Sequence, residues 1–182
     1  MPTSSDSSSQ SIGLVHRAVH AMIAKIPYRD DNGAGGVHPA SLITVDADGF
    51  PSSRIVVPRQ VAPDFSEIRL NTRAESRKVA EVRANPRVSV SWEDQRGAGG
   101  WAVAKGQAEV IPIDKGQPAR VDIVVKCHRL EAMSYNERVM ADDQEGWKPT
   151  ILERTGDHRG WQFASGYAQL TDLAQGKKRR SG

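Results

Sequence analysis

Two adjacent cations, Arg77 and Lys78, stand at the start of a short predicted helix, and their position raises the first chemical question. Thr72 and Glu75 form the hydroxyl-x-x-carboxylate pattern of a capping box, and Ser76 offers a second N-cap. Val79 and Val82 supply an apolar stripe, and Asn85-Pro86 ends the helix, because the residue before a proline is driven out of helical conformation. A helix N-terminus is already positive through its dipole, so Arg77 and Lys78 sit at the wrong end for cations. A bound anion would resolve the conflict, and phosphate suits the free N–H groups there as well. The plainer alternative is a solvated Arg-Lys pair that binds nothing.

Other candidate groups carry less. His16 and His20 lie one turn apart on a helix, a spacing that can hold a metal, but no acidic or histidine partner is near in sequence. The expectation is a solvated helix face and no metal. Cys127 and His128 are adjacent, so on a helix they would diverge by about 100°. Gly97-Ala98-Gly99-Gly100-Trp101-Ala102 fits the dinucleotide fingerprint in form only, since a strand pattern follows it instead of a helix. It reads as a flexible hairpin turn. The sequence carries no Walker loop, no nucleophile elbow and no Cys/His pair at zinc spacing.

The elements that must position Arg77 and Lys78 are mostly strands. Ile12, Val15, Val19, Met22, Ile23 and Ile26 recur at three and four, predicting a helix over 12–26 closed by Pro27. Asp30 to Gly36 reads as a loop. Ser41–Val45 and Ser53–Val57 flank Asp46-Ala47-Asp48-Gly49 as a β-hairpin, and Ile68–Asn71 makes a third strand entering the organising helix. Val88, Val90 and Trp92 alternate with serines as a half-buried strand. Trp101–Ile111 is a long strand with Gly106 where a bulge fits. Pro118 with Val121, Val124 and Val125 predicts a helical region, and Ser134-Tyr135-Asn136-Glu137 repeats the capping box, predicting another short helix. Trp161–Phe163 reads as a last strand. Several short strands with few helices argue for a small barrel over a parallel sheet.

At 182 residues the chain suits one domain with a real core. The expected organisation is a disordered Ser-rich leader over 1–11, one domain over 12–170, and a basic flexible tail over 171–182. Lys177, Lys178, Arg179 and Arg180 outweigh the whole formal charge of +3, so the body without them is near neutral and nucleic acid is an unlikely partner. A single cysteine excludes an internal disulfide and fits a reducing compartment; it is expected as a half-buried free thiol. No apolar run reaches the length of a membrane span, no secretory signal opens the sequence, and the expected address is the cytoplasm.

From about Ala40 to Ile111 the sequence resembles the FMN-binding split-barrel family, typified by pyridoxamine 5′-phosphate oxidase. The pieces that carry the resemblance are Leu42–Val45, Asp48-Gly49, Arg54-Ile55-Val56-Val57, Asn71-Thr72, Ser76-Arg77-Lys78, Asn85-Pro86-Arg87-Val88-Ser89-Val90 and Gly106-Gln107-Ala108-Glu109, in that order. The resemblance implies a mainly β (α+β) fold: a six-stranded antiparallel split β-barrel of Greek-key type with flanking short helices. It implies a homodimer with FMN at the subunit interface. Arg54, Arg77 and Lys78 would grip the FMN phosphate, with Ser76 and Thr72 as supporting donors. Main-chain groups of Ile55, Val56 and Val57 would run beside the isoalloxazine ring. Asn71 stands where the oxidase has a tyrosine, and Arg59 where it has a lysine. Trp161-Gln162 resembles a Trp-Gln pair of the oxidase, which would bring Trp161 to a partner's flavin.

The sequence also departs from that pattern. Gly100-Trp101-Ala102 replaces an Arg-Gln-Val run, and the oxidase's substrate-phosphate Tyr and Arg have no counterpart between Pro118 and Ala141. Its closing Arg-Leu-His motif is absent too. The resemblance therefore implies an FMN-dependent oxidoreductase of unstated substrate, with no residue named as general acid or base. The alternative is a non-enzymatic flavin or haem binder, a cofactor store or redox-linked regulator. For haem, His16, His20, His38, His128 and His158 are equal candidates as axial ligand.

Overall fold

Alternating apolar and polar residues build most of the chain into antiparallel strands, seen in a computed structural model. It describes residues 4–29, 35–94, 99–114, 119–136, 139–140, 148–154 and 160–164. The elements run α1 (Ser4–Ile23), β1 (Ala24–Arg29), β2 (Gly35–Val37), β3 (Ala40–Val45), β4 (Pro51–Val56), β5 (Pro58–Val61) and β6 (Glu67–Arg73). They continue with α2 (Arg77–Ala84), β7 (Arg87–Glu93), β8 (Gly100–Asp114), β9 (Arg120–Ser134), β10 (Thr150–Arg154) and β11 (Trp161–Phe163).

β1 and β2 form a ribbon of their own, and the other nine strands share one sheet. β4 and β5 are one bent trace broken only at Val57; β4 pairs with β3 and β5 with β6. β6 then pairs with the first half of β9, β9 with β8, β8 with β7, and β7 returns to β3. Six strand positions thus close on themselves, which is the split barrel that the sequence implied. β6 and β7 are not neighbours, and the segment carrying α2 crosses between them, giving the Greek-key connection. β9 changes partner along its length: Arg120–Lys126 face β6, whereas Arg129–Ala132 face β10.

The interior follows the period of two. Leu42, Leu70, Val90, Ala102, Ala104, Ile123, Val125 and Leu130 point inward and are buried. α1 closes one side with Val15, Val19, Met22 and Ile23, and α2 another with Val79 and Val82. Cys127 is a free, buried thiol, more enclosed than expected, and burial pushes its pKa up to about 12.

Several expectations change. The first helix starts at Ser4, inside the Ser-rich stretch, and ends at Ile23, so Pro27 lies in β1, a short ribbon strand where a missing donor is tolerated. Gly35 and Gly36, expected in a loop, open β2. The helical region predicted around Val121–Val125 is strand β9. Val121, Ile123, Val125 and Cys127 are its inward set, and neighbouring Val124 is buried as well, which lent the run a helical look. No helix starts at Ser134: that residue ends β9 and exchanges two backbone hydrogen bonds with Val139. Its hydroxyl and the Asn136 amide both donate to Asp94. The other half of that supposed capping box, Glu137, lies outside the described residues, as do Pro118, His158 and the basic tail.

His16 is buried and His20 is only partly open to solvent. His16 is 8% exposed, edge-on to Trp161 at 5.8 Å, and His20 stacks on Phe65 at 4.4 Å while its Nε2 meets the Pro63 carbonyl at 3.0 Å. Phe65 itself adopts φ 55°, unusual for a bulky residue, and is fully buried beneath these two rings.

Candidate functional site: a cationic cluster at the start of α2

β6 delivers the chain to the barrel rim, and a turn over Ala74–Ser76 starts α2 there. Ser76 is the N-cap, with extended backbone and no side-chain capping bond. The capping box expected from Thr72 and Glu75 is not formed, because Thr72 is still in β6 and pairs with Val121. Arg77 and Lys78 do occupy the first turn, and that turn contains no acidic residue.

Across the rim, β4 sends Arg54 toward the same place. Its guanidinium pairs with Glu81 at 2.6 Å, donates to Ser52 Oγ at 2.7 Å and also meets Thr44 Oγ1. Thr44 in turn donates to Glu81 Oε2. Arg77 Nε lies 3.1 Å from Glu81 Oε1, an ion pair without hydrogen-bond geometry, and Arg77 Nη2 is 3.4 Å from Ser52 Oγ. Lys78 Nζ donates to Thr72 Oγ1 at 3.0 Å, and Thr72 Oγ1 lies 3.4 Å from Ser76 Oγ.

Arg54 and Arg77 therefore share one carboxylate, Glu81, with Lys78 nearby but not paired to it. Burial alone would raise the Glu81 carboxyl, but hydrogen bonds from Thr44 and Arg54 and the charges of Arg54 and Arg77 outweigh it, and its pKa falls. Lys78 is in the opposite position. Burial and then the neighbouring Arg54 charge lower its pKa below the usual lysine value, with Glu81 opposing. Among the described residues its one polar contact is a hydroxyl, so a half-buried ammonium stands beside another cation with no carboxylate of its own there. The outermost member, Arg77, has a side chain that is 78% exposed and can swing toward a ligand.

The structure thus brings together Arg54, Thr72, Ser76, Arg77 and Lys78 of the residues expected from sequence. Ile55, Val56 and Val57 continue along the same strand. β4 pairs only with β3 among the described residues, and Ile55 and Val57 are exposed apolar side chains, 70% and 57%. Arg59 is exposed on β5, at a register shift between Pro58 and Gln60. Asn71 adjoins Thr72 in sequence, but its amide is tied to β9, donating to Asp122 and accepting from Arg120 Nε at 2.6 Å. Trp161 belongs to another neighbourhood: it donates to the Asp64 carbonyl, lies under Arg154 and packs on His16.

Sequence reasoning missed Glu81, Ser52 and Thr44. Glu81 follows Arg77 by four residues, a helical ion-pair spacing that was there to be read. Ser52 and Thr44 face each other only through the β3–β4 register, which no local pattern displays.

Residues 36–151 match the family model described as Pyridoxamine 5′-phosphate oxidase, well over half of the chain. The chain belongs to the pyridoxamine 5′-phosphate oxidase family. Solved structures of similar fold include a pyridoxamine 5′-phosphate oxidase-related, FMN binding protein from Nostoc punctiforme. It is 12% identical, with TM-score 0.53, covering 86% of this chain and 92% of that one. PhzG from Burkholderia lata, solved in complex with tetrahydrophenazine-1-carboxylic acid, is 15% identical, with TM-score 0.52, covering 72% and 81%. Among curated proteins no relative matches the sequence. The family's barrel is the architecture described above, and the cationic cluster falls within the matched span. No described helix is long and apolar enough to cross a membrane.

Proposed function

We propose that this chain binds FMN through the cluster at the start of α2 and acts as a flavin-dependent oxidoreductase, as a homodimer with the flavin between subunits. The observation that carries the reading is Lys78: a partly buried ammonium beside Arg54, with only a hydroxyl partner among the described residues, at an uncapped helix start. A phosphate monoester fits that environment. It offers several acceptor oxygens to Lys78, Arg77, Ser76, Thr72 and Ser52, and it places negative charge where dipole and cations both favour it.

Each residue then has a task. Lys78 and Arg77 neutralise the phosphate, and Arg54, held by Glu81 and Thr44, fixes the positive field behind it. The β4 backbone at Ile55–Val57 lies alongside the ring. Exposed Ile55 and Val57 on an open strand edge need a cover, and a second copy of the chain supplies one that also shields the flavin from water. Arg59 lies farther along the same trace, toward the substrate. When bound, the flavin supplies hydride acceptance and release, chemistry that none of these side chains carries.

The test is a titration of apo-protein with FMN and with riboflavin, which lacks the phosphate. FMN binding at least about 1,000-fold tighter than riboflavin supports the reading, the difference two charge-assisted contacts would make. Equal affinity overturns the phosphate assignment. Sedimentation then reports whether the flavin-loaded form is a dimer. Anaerobic addition of NADPH or pyridoxamine phosphate separates an enzyme, whose flavin bleaches, from a carrier, whose flavin stays oxidised.

A further inference from the structure

A second cleft, of about 500 Å3, opens on the outer face of the barrel across β3, β7, β8 and β9. Its apolar part is Ile43, Val45 and Pro51, and its polar part is Arg87, Gln107 and His128, with Lys105 beside them. None of the three phosphate-gripping cations lines it, and Thr44, which holds Arg54 and Glu81, is the one residue it shares with their cluster. Its volume falls in the range of small-molecule pockets, and a mainly apolar wall with a few convergent polar groups is their usual make-up.

The way His128 enters this cleft is specific. Lys105 pairs with Arg129 and Gly106 with Cys127, so His128 is the extra residue of a β-bulge in β9. Here β9 also exchanges β6 for β10 as its neighbour, so the barrel needs a bend at this point. The bend requires a bulge but not an imidazole. Gly106 opposite is equally constrained, since a Cβ there would collide with the Lys126 carbonyl. The bulge leaves two consecutive outward side chains. Arg129 turns to Glu131 and Glu153, and His128 turns into the cleft.

The charges in the cleft are unequally matched. Lys105 is tied to Glu131 at 2.6 Å. Arg87 stands exposed at the start of β7, and among the described residues neither it nor His128 has an ion-pair partner. A guanidinium, an imidazole and the Gln107 amide thus border an apolar floor. We propose that this cleft is a second ligand site, separate from the flavin cluster, for a small organic anion: a compact apolar body bearing one carboxylate or phosphate group. The anionic head meets Arg87 and His128, with Gln107 as a further donor, and the body lies on Ile43, Val45 and Pro51. This inference does not depend on flavin binding.

The experiment is an amide-resolved NMR titration of the full chain with sodium benzoate, phenyl phosphate and the neutral isostere benzamide. Saturable shifts centred on Ser89, Gly106, Gln107 and His128, with either anion binding at least about tenfold tighter than benzamide, support the site. The tighter anion names the head group. Arg87→Gln and His128→Gln are each expected to weaken that binding about tenfold while leaving FMN affinity unchanged. Absence of saturation, equal binding of benzamide, or shifts falling instead on Arg54–Val57, Arg77 and Lys78 would each overturn it. The last pattern means that the anion simply occupies the flavin cluster, an outcome that leaves the flavin reading standing.

Discussion

Two groups of charged side chains on this barrel differ in a way that separates architecture from function. On β8, β9 and β10, Lys105 and Arg129 share Glu131, and Arg129 also holds Glu153. Two cations meet two carboxylates: Lys105, Arg129 and Glu153 stand in register across three strands and Glu131 two residues along β9, so among the described residues that group is electrically complete. At the start of α2, among the described residues, Arg54 and Arg77 pair with Glu81 alone and Lys78 pairs with no carboxylate. A closed group of pairs on a sheet face holds strands in register and asks for nothing more. A group left two charges in excess, partly out of water, stores unfavourable energy that an anion releases. The contrast, not the number of cations, is what singles out the α2 cluster as the candidate site.

The sharpest way to break the comparison is to remove the excess. Arg77→Ala with Lys78→Ala is expected to cost FMN affinity about 1,000-fold, or about 4 kcal/mol, for two lost charge-assisted contacts. Thermal stability should stay near that of the unmodified protein, because Arg77 is exposed and the hydrogen bond that Lys78 gives up to Thr72 is offset by relief from the Arg54 charge. Flavin fluorescence quenching alongside a melting curve checks both halves. Unchanged quenching would return Arg77 and Lys78 to the status of a solvated pair.

Removing the one carboxylate tests the other side. Glu81→Gln leaves Arg54 half-buried without a counter-charge, and loss of about 3 kcal/mol of apo stability is expected in urea denaturation. The same substitution predicts a pH effect. The Glu81 pKa is lowered in the folded state, so its contribution is present above the unfolded carboxylate value and lost as pH falls through the folded one. The variant should therefore show a shallower acid loss, and added FMN should restore more stability to it than to the parent.

How much of this was legible beforehand depends on the range of the interaction. The short helix with Arg77 and Lys78 in its first turn, the β3–β4 hairpin, β6 and β7 are local patterns, and the sequence displays them directly, whereas the bulge expected at Gly106 falls at His128 on the opposite strand. The organisation around β9 was not legible from periodicity. Buried Val124 beside Val121 and Val125 satisfies a helical spacing as well as a strand, and only pairing with β6 and β8 decides between them. Ser134 likewise fits a capping box until the bridge to Val139 claims its backbone. Within the cluster, Arg77 and Lys78 were visible as misplaced cations. Arg54 came from family resemblance, and Ser52 and Thr44 needed the hairpin register. His16 was misjudged because its helix packs on both β11 and the β5–β6 turn, so its face is covered.

That histidine gives the comparison a third arm, a titratable group buried with no counter-charge at hydrogen-bond distance. His16 Nε2 has no hydrogen-bond partner among the described residues. Burial lowers its pKa to about 4, with Asp64 opposing and His20 adding to the depression. The unfolded chain takes up the proton first, so stability is full above the unfolded value and declines as pH falls from there toward about 4. The decline attributable to this group is roughly 2–3 kcal/mol. His16→Met should flatten it in denaturation curves taken across that window. A slope that survives the substitution would assign the acid sensitivity to carboxylates such as Glu81 instead.

The smallest effect belongs to the balanced ladder, and its smallness is the point. Glu131→Gln keeps an acceptor for Lys105 and Arg129, and Arg129 retains Glu153, so the expected loss is below about 1 kcal/mol. It should be screened further by salt, and flavin affinity should not move. The substitution nevertheless adds one uncompensated positive charge beside the outer cleft, the condition that the α2 cluster already meets. If excess positive charge on a partly enclosed surface is what recruits anions to this fold, benzoate should bind the Glu131→Gln protein more tightly than the parent. Unaltered benzoate binding would instead mean that anion selection depends on where each cation points rather than on the local sum of charge.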